Sequence, residues 1–118
     1  MSAYTMSIYT MPIYEPAEDS YFLQKYVQEY AFGKVLDLGT GSGIQALTAA
    51  GKKEVKNILA VDINLEVIKS LKKKIKIEKI KIKQSDLFSK ISIKTKFDTI
   101  IFNPPYLPQD KKTRKIVE

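Results

Sequence analysis

Residues 34–51 read KVLDLGTGSGIQALTAAG, and this stretch decides the fold class. Its first part, residues 35–38, is a short apolar run of the kind that forms a buried strand. Gly39, Gly41 and Gly43 follow, and glycine lets the backbone turn tightly and approach a ligand without a Cβ in the way. The segment after them predicts a helix that ends near residue 51. A strand, a glycine-rich turn and a helix in direct succession predict an α/β unit.

The flanking segments continue this alternation. Upstream, residues 17–33 predict a helix, because apolar and aromatic residues recur there at helical spacing. Downstream, we expect strands within residues 57–64, 79–88 and 96–102, and a helix over residues 65–74 with Asn64 as its N-cap. Strands joined by helices predict a parallel sheet with right-handed crossovers. The alternation of Ile and Lys in the third strand predicts an exposed edge protected by charge.

The first fourteen residues contain YTMSIY followed by YTMPIY. This alternation of Tyr, Met and Ile predicts an extended N-terminal arm, although a mobile terminus is equally compatible with it. We therefore divide the chain into an arm over residues 1–14 and a single domain portion over residues 15–118.

Composition excludes several kinds of chemistry. The chain has 118 residues and a formal net charge of +7. It contains no cysteine or histidine, which excludes thiol nucleophiles, imidazole bases and an ordinary zinc site, and no metal is expected. Among the 20 basic residues, Arg114 is the single arginine. The lysines interleaved with isoleucine favour a solvated face, with attraction to RNA as the alternative. We find no membrane-length apolar run and no signal-peptide pattern, so we expect a cytoplasmic protein without membrane contact.

Acidic residues follow two of the predicted strands. Asp62 ends the second strand and Asp86 ends the third. The carboxyl ends of parallel strands lie at one edge of the sheet, where open α/β folds bind ligands. A carboxylate at position 62 can accept from both hydroxyls of a ribose, whereas a helix-capping role is less favoured because Asn64 is available for it. Ile44 stands where the dinucleotide fingerprint needs glycine, which disfavours NAD.

The order of these motifs, ending in Asn103-Pro104-Pro105-Tyr106 after the fourth strand, resembles that of class I S-adenosylmethionine-dependent methyltransferases. The opening YEPAEDS, residues 14–20, is similar to that of HemK/HemK2 (Mtq2)-like protein glutamine N5-methyltransferases. The resemblance implies a Rossmann-like parallel sheet with helices on both faces, of which this chain supplies an incomplete portion, about four of seven strands. It also implies S-adenosyl-L-methionine as the cofactor and the glutamine amide of a peptide-chain release factor as the methyl acceptor.

The resemblance implies a role for each motif residue. Ser20, Asp37 and Gly39 would lie at the methionine end of the cofactor, and Gly41 and Gly43 would shape the loop. Asp62 would bind the ribose with Ile63 beside the adenine, and Asp86 would meet the adenine amino group with Leu87 packed on the ring. Asn103 to Tyr106 would hold the acceptor nitrogen beside the cofactor.

The chemistry of a planar nitrogen suits that last motif. The lone pair of an amide or aniline-like nitrogen is delocalised, so methylation requires it to be localised and aimed. The Asn103 side-chain oxygen and the Pro104 carbonyl can accept hydrogen bonds from the two N–H groups. Pro105 restricts the backbone that follows these acceptors. Tyr106 offers an aromatic face to the planar group. No strong base is needed, so the absence of histidine is no obstacle. Adenine in DNA or RNA is the alternative acceptor, and an inactive cofactor-binding half is a third possibility.

An incomplete sheet implies partners. If the fourth strand lies beside an absent fifth, residues 98–102 form an unpaired apolar edge. We therefore expect a companion chain that supplies the missing C-terminal strands, with a truncated product or an experimental fragment as alternatives. The family resemblance also implies a small zinc-binding activator protein at the edge of the third strand, where residues 79–83 are compatible with strand addition or with a plain solvated edge.

Overall fold

A computed structural model describes residues 4–7 and 16–102 of the chain. Its elements are β1 (Tyr4–Ser7), α1 (Pro16–Tyr30), β2 (Gly33–Leu38), α2 (Ile44–Ala50), β3 (Val55–Asp62), α3 (Leu65–Lys74), β4 (Ile80–Gln84) and β5 (Thr99–Phe102). None of the helices in these ranges has the length and apolar character needed to cross a membrane. The predicted helices and the four predicted strands are all present, although β4 ends at Gln84 and leaves residues 85–88 to a loop.

The strands form one parallel sheet in the order β1-β5-β2-β3-β4. This order confirms the predicted α/β class with a parallel sheet. It also confirms β4 as an edge strand, and in it Lys81 and Lys83 are exposed while Ile80 is buried. Charged side chains along an edge discourage pairing with a further strand.

The opposite edge differs from the prediction. Residues 98–102 were expected to leave an unpaired edge, but β1 pairs with β5 along its whole length, from Tyr4 opposite Thr99 to Ser7 opposite Phe102. The prediction of an unpaired fourth strand is therefore wrong, and the described sheet has five strands. The physical reason is that a strand flanked on one side only leaves unsatisfied N–H and C=O groups, which an extended segment of the same chain can pair.

Side chains alternate between the two faces of the sheet. On one face, Val35, Ile58 and Ile101 are buried in a cluster that also receives residues of α1 and α2. On the other face, Leu36 and Val61 belong to a second cluster. Among the described residues no helix contributes to this second cluster, whose cover comes from residues 91 and 97 in the connection between β4 and β5. Residues of α1 and α2 therefore cover one face of the sheet, and the helices that the resemblance implied on the second face are not among the described residues.

The start of α3 follows from local sequence. The side chain of Asn64 accepts a hydrogen bond from the backbone N–H of Glu66 at 2.9 Å, which confirms the predicted N-cap. Glu66 lies in the first turn, and residues 72–74, all lysine, form the last turn. Both placements match the helix dipole, because acids are favoured near the N-terminus and bases near the C-terminus. This cap fixes the point at which the chain leaves β3.

Candidate functional site

The glycine-rich loop joins β2 to α2 at the carboxyl edge of the sheet. Gly41 has φ of 54° and Gly43 has φ of 83°, a left-handed conformation that side chains with a Cβ rarely adopt. A Cβ on Gly43 would also lie 3.1 Å from Ile75 and 3.3 Å from Leu71, whereas a Cβ on Gly41 would meet nothing closer than 3.9 Å. Glycine at position 43 therefore lets the loop approach the side chains of Leu71 and Ile75 at the end of α3, and the backbone at Gly41 remains open to a ligand.

Hydrogen bonds hold this loop to the neighbouring strands. The Thr40 N–H donates to the Val61 carbonyl at 2.8 Å, and the Gly43 N–H donates to the Thr40 carbonyl at 2.8 Å. The Thr40 hydroxyl donates to the carboxylate of Asp37 at 2.8 Å. Thr40 thus uses its backbone and its side chain to fix the loop against both β2 and β3.

Asp37 lies beneath the loop and is 1% exposed. Burial raises the pKa of its carboxyl group from 3.8 to about 7, and the negative charge of Asp62 adds to the rise. Hydrogen bonds from Thr40 and from the backbone N–H of Ala46 act in the opposite direction. Asp37 therefore acts on the loop and on the start of α2, and its predicted contact with a cofactor stays a prediction.

Asp62 connects two strand ends. One oxygen of its carboxylate accepts from the Gly41 N–H at 3.0 Å, and the other accepts from the Asn64 N–H at 2.9 Å. A carboxylate has about four acceptor positions, so two of them remain for further donors. Because Asp62 is only partly buried, those positions can receive the two hydroxyls of a ribose. The geometry fits the predicted role.

The loop after β4 lies beside the end of β3. The Ser85 N–H donates to the Asp62 carbonyl at 2.9 Å, and the Gln84 side-chain amide donates to the Ile63 carbonyl at 3.0 Å. These two bonds bring the predicted adenine-binding residues onto neighbouring strand ends. Ile63 is 62% exposed and Leu87 is 49% exposed, so two apolar side chains stand open at this edge. The carboxylate of Asp86 is exposed in the same loop.

Ser20 is linked to α2 through a residue that sequence reasoning missed, and its predicted contact with the cofactor stays a prediction. Its backbone carbonyl accepts a hydrogen bond from the side-chain amide of Gln45 at 2.8 Å. Gln45 is 3% exposed, and its side-chain oxygen has no hydrogen-bond partner among the described residues. The signal in the sequence was the one long polar residue of α2, one position after its first residue, in a helix whose other residues are apolar or threonine. Gln45 ties α1 to the helix that follows the glycine-rich loop.

The predicted acceptor motif, Asn103 to Tyr106, lies outside the described residues. The strand that precedes it ends at Phe102, which pairs with Leu38, the residue before the glycine-rich loop. The predicted cofactor residues from Ser20 to Leu87 are described, and those that follow β2, β3 and β4 lie at one edge of the sheet.

This combination of a parallel sheet, a glycine-rich loop after its central strand and an acid after the next strand is that of the Rossmann-like fold. Solved S-adenosylmethionine-dependent methyltransferases share this fold. A solved structure with the same fold is PKMT2 from Rickettsia typhi in complex with AdoHcy, with a TM-score of 0.50 and 25% identity. The similarity covers 85% of this chain and 20% of that protein.

The chain belongs to the methyltransferase small domain family, whose model matches residues 17–118. Among curated proteins, it is 42% identical over 104 residues to a putative protein N5-glutamine methyltransferase of Methanocaldococcus jannaschii. The alignment covers 85% of this chain and 51% of that relative. It is 36% identical over 80 residues to the release factor glutamine methyltransferase of Fusobacterium nucleatum, covering 65% of this chain and 23% of that protein. The chain therefore spans at most about half the length of these relatives.

Proposed function

We propose that this chain carries the cofactor site and the acceptor motif of an S-adenosylmethionine-dependent methyltransferase that acts on the glutamine amide of a peptide-chain release factor. The observation that carries the proposal is the double use of Asp62, whose carboxylate binds the Gly41 N–H and still has acceptor positions free at the ligand edge. Family membership and the names of the relatives supply the reaction class.

Different residues at the sheet edge contact different parts of the cofactor. Asp62 accepts hydrogen bonds from the ribose hydroxyls, and Gly41 leaves room for the ligand to approach the backbone. Ile63 and Leu87 present apolar surface to the adenine, and Asp86 accepts from its amino group. When bound, the cofactor supplies an electrophilic methyl group on a positively charged sulfur.

The acceptor motif prepares the nitrogen. The Asn103 side-chain oxygen and the Pro104 carbonyl accept the two N–H groups of the amide, and this pair of acceptors aims the nitrogen lone pair. Prolines at 104 and 105 restrict the backbone, so the two acceptors are positioned before the substrate arrives. Tyr106 offers an aromatic wall for the planar group. The nitrogen becomes acidic as it is methylated, so solvent can take its proton.

The relatives favour a protein acceptor over a nucleic acid. Those named above are glutamine methyltransferases, and the chain has a single arginine, Arg114, although arginine is the usual residue for bidentate recognition of bases and phosphates. Because the chain spans about half of the Methanocaldococcus jannaschii relative, we propose that activity requires the structure corresponding to the other half of that protein. A companion chain is one way to supply it, and the zinc-binding activator expected at β4 stays a prediction.

The test separates binding from transfer. Calorimetric titration of the full chain with S-adenosylhomocysteine measures cofactor binding. Transfer of labelled methyl is then measured to a release factor and to an adenine-containing oligonucleotide, with the chain alone and with the C-terminal half of the Methanocaldococcus jannaschii relative added. We expect label on glutamine and none with Asn103→Ala. Label on adenine would contradict the protein acceptor, and the absence of cofactor binding would contradict the proposed function as a whole.

A further inference from the structure

We propose that Ser85 is a positioning residue that fixes the adenine end of the cofactor site through the backbone of Leu87. The inference rests on the proposed function, because it takes the carboxyl ends of β3 and β4 as the place where adenine binds. Ser85 is 2% exposed, so it acts through its neighbours and does not contact the ligand.

The Ser85 hydroxyl is used twice inside its own loop. It donates to the Leu87 carbonyl at 2.7 Å and accepts from the Lys90 N–H at 3.1 Å. A second serine closes the loop from the other side, because the Asp86 N–H donates to the Ser89 hydroxyl at 3.1 Å and the Ser89 N–H donates to the Asp86 carbonyl at 3.0 Å. The Ser85 hydroxyl is buried with both of its functions satisfied, and such a group holds a loop in a single conformation.

That conformation is unfavourable without support. Leu87 has φ of 54°, and it is the one non-glycine residue with positive φ among the described residues. A side chain with a Cβ resists this left-handed conformation, which persists only where the surroundings impose it, and such residues concentrate at ligand sites. The hydrogen bond from Ser85 holds the carbonyl of Leu87 and so supports the turn at this residue.

The constrained turn also has a fixed position relative to β3. The Ser85 N–H donates to the Asp62 carbonyl, and the side chain of Gln84 donates to the Ile63 carbonyl. Ser85 therefore connects the residue that binds the ribose with the residue that covers the adenine. Two exposed apolar side chains, Ile63 and Leu87, stand at adjacent strand ends, with the carboxylate of Asp86 beside one of them. A flat ring with apolar faces and an amino group at its edge matches this arrangement.

The test compares Ser85→Ala with two other variants of the full chain. Ser85→Thr keeps the hydroxyl, and Ser92→Ala removes an exposed serine of the same connection whose hydroxyl accepts from the Lys94 N–H at 3.2 Å. Calorimetric titrations use S-adenosylhomocysteine and its hypoxanthine analogue, S-inosylhomocysteine. Losing one buried hydrogen-bonding group should weaken S-adenosylhomocysteine binding by about tenfold in Ser85→Ala. We also expect the preference for adenine over hypoxanthine to fall, while Ser85→Thr and Ser92→Ala retain both.

A second measurement addresses the turn itself. Glycine adopts positive φ freely, so Ser85→Ala should lower the melting temperature less in a Leu87→Gly background than in the original chain. An equal decrease in both backgrounds, or a Ser85→Ala variant that binds and discriminates like Ser92→Ala, would overturn the positioning role alone. If the unsubstituted chain binds no S-adenosylhomocysteine, the proposed function fails, and this inference fails with it.

Discussion

The carboxylate of Asp62 accepts a hydrogen bond from the backbone N–H of Gly41 at 3.0 Å, across 21 positions of sequence. The acid that ends β3 thereby holds the loop that follows β2. The same carboxylate accepts from Asn64, which begins α3 as its N-cap. A single side chain consequently couples the glycine-rich loop, the start of a helix and the proposed ribose contact.

This coupling predicts that Asp62→Asn weakens the cofactor and the fold together. Asparagine has the same shape as aspartate, but its side-chain nitrogen cannot accept a hydrogen bond. That nitrogen must replace one of the two carboxylate oxygens, so the N–H of either Gly41 or Asn64 loses its acceptor. We expect a decrease in unfolding free energy of about 1–2 kcal/mol and a loss of about tenfold or more in affinity for S-adenosylhomocysteine. Chemical denaturation and calorimetric titration measure the two effects.

The matched control for this variant is Asp86→Asn. Asp86 is exposed, and its described hydrogen bonds, both with Ser89, are made by its backbone, so the fold should be unaffected. If Asp62→Asn were as stable as Asp86→Asn, the bond to Gly41 would not hold the loop.

Asp37 predicts an unusual dependence of stability on pH. Its pKa is raised in the folded chain from 3.8 to about 7 by burial, so the folded state binds more protons than the unfolded state between those values. The contribution of this group to stability is therefore most favourable below about pH 4 and is lost as the pH rises towards 7, by an amount on the order of 4 kcal/mol. Asp37→Asn removes the ionisation and keeps an acceptor for Thr40.

The measurement is the difference in unfolding free energy between Asp37→Asn and the original chain as a function of pH. We expect the variant to gain relative stability steadily from pH 4 to pH 7 and to show no further gain above pH 8. Subtracting the two curves cancels the titration of the other carboxyl groups. A pH-independent difference would show that Asp37 ionises normally in the folded chain.

The pairing of β1 with β5 predicts that the N-terminal strand protects an edge. Thr5→Pro combined with Met6→Pro removes two successive backbone N–H groups. The N–H groups of neighbouring strand residues point to opposite sides of the strand, so one of these two faces β5. We expect a lower melting temperature and concentration-dependent self-association, measured by sedimentation. The matched control, Thr5→Ala with Met6→Ala, keeps both N–H groups. Association of both variants to the same extent would contradict a backbone role.

The parts of the fold that could be predicted are those set by neighbouring residues. The glycine-rich loop, the cap at Asn64 and the span of α3 all follow from local composition, and the structure has them where the sequence predicted them. The pairing of Tyr4–Ser7 with Thr99–Phe102 could not be predicted in this way, because it joins segments more than ninety positions apart, and strands of only four residues do not specify one partner by their sequence.

The predicted site shows the same division. Asp62 and Asp86 could be proposed because the sequence places each at the end of a predicted strand, and parallel strands end at one edge. In the structure Asp62 ends β3, whereas Asp86 lies two positions beyond the end of β4. The left-handed turn at Leu87 and the hydroxyl of Ser85 that supports it were missed, because leucine carries no preference for positive φ and a buried serine resembles any other serine in sequence. Such features depend on the geometry of side-chain hydrogen bonds within one short loop, which residue types alone do not specify.

Gln45 provides a last prediction, concerning the link between α1 and α2. Its side-chain nitrogen donates to the Ser20 carbonyl, but its buried side-chain oxygen has no partner among the described residues. On folding, the side chain therefore keeps a hydrogen bond at its nitrogen and loses the one that its oxygen makes with water. Gln45→Met keeps the length and removes both groups. We expect the unfolding free energy to stay within about 1 kcal/mol of the original value, because a lost bond is offset by the removal of an unpaired oxygen.

Gln45→Glu is the isosteric comparison for this variant. It places a carboxyl group opposite the Ser20 carbonyl in a site that is 3% exposed, so burial should raise the pKa of the new group. Stability should then fall by about 2 kcal/mol or more as the pH rises from 4 to 8, since the unfolded chain loses its proton first. Chemical denaturation at the two pH values measures this. If Gln45→Met itself lost 2 kcal/mol or more, its oxygen would have a partner outside the described residues, and the amide would be a fully satisfied link between the helices.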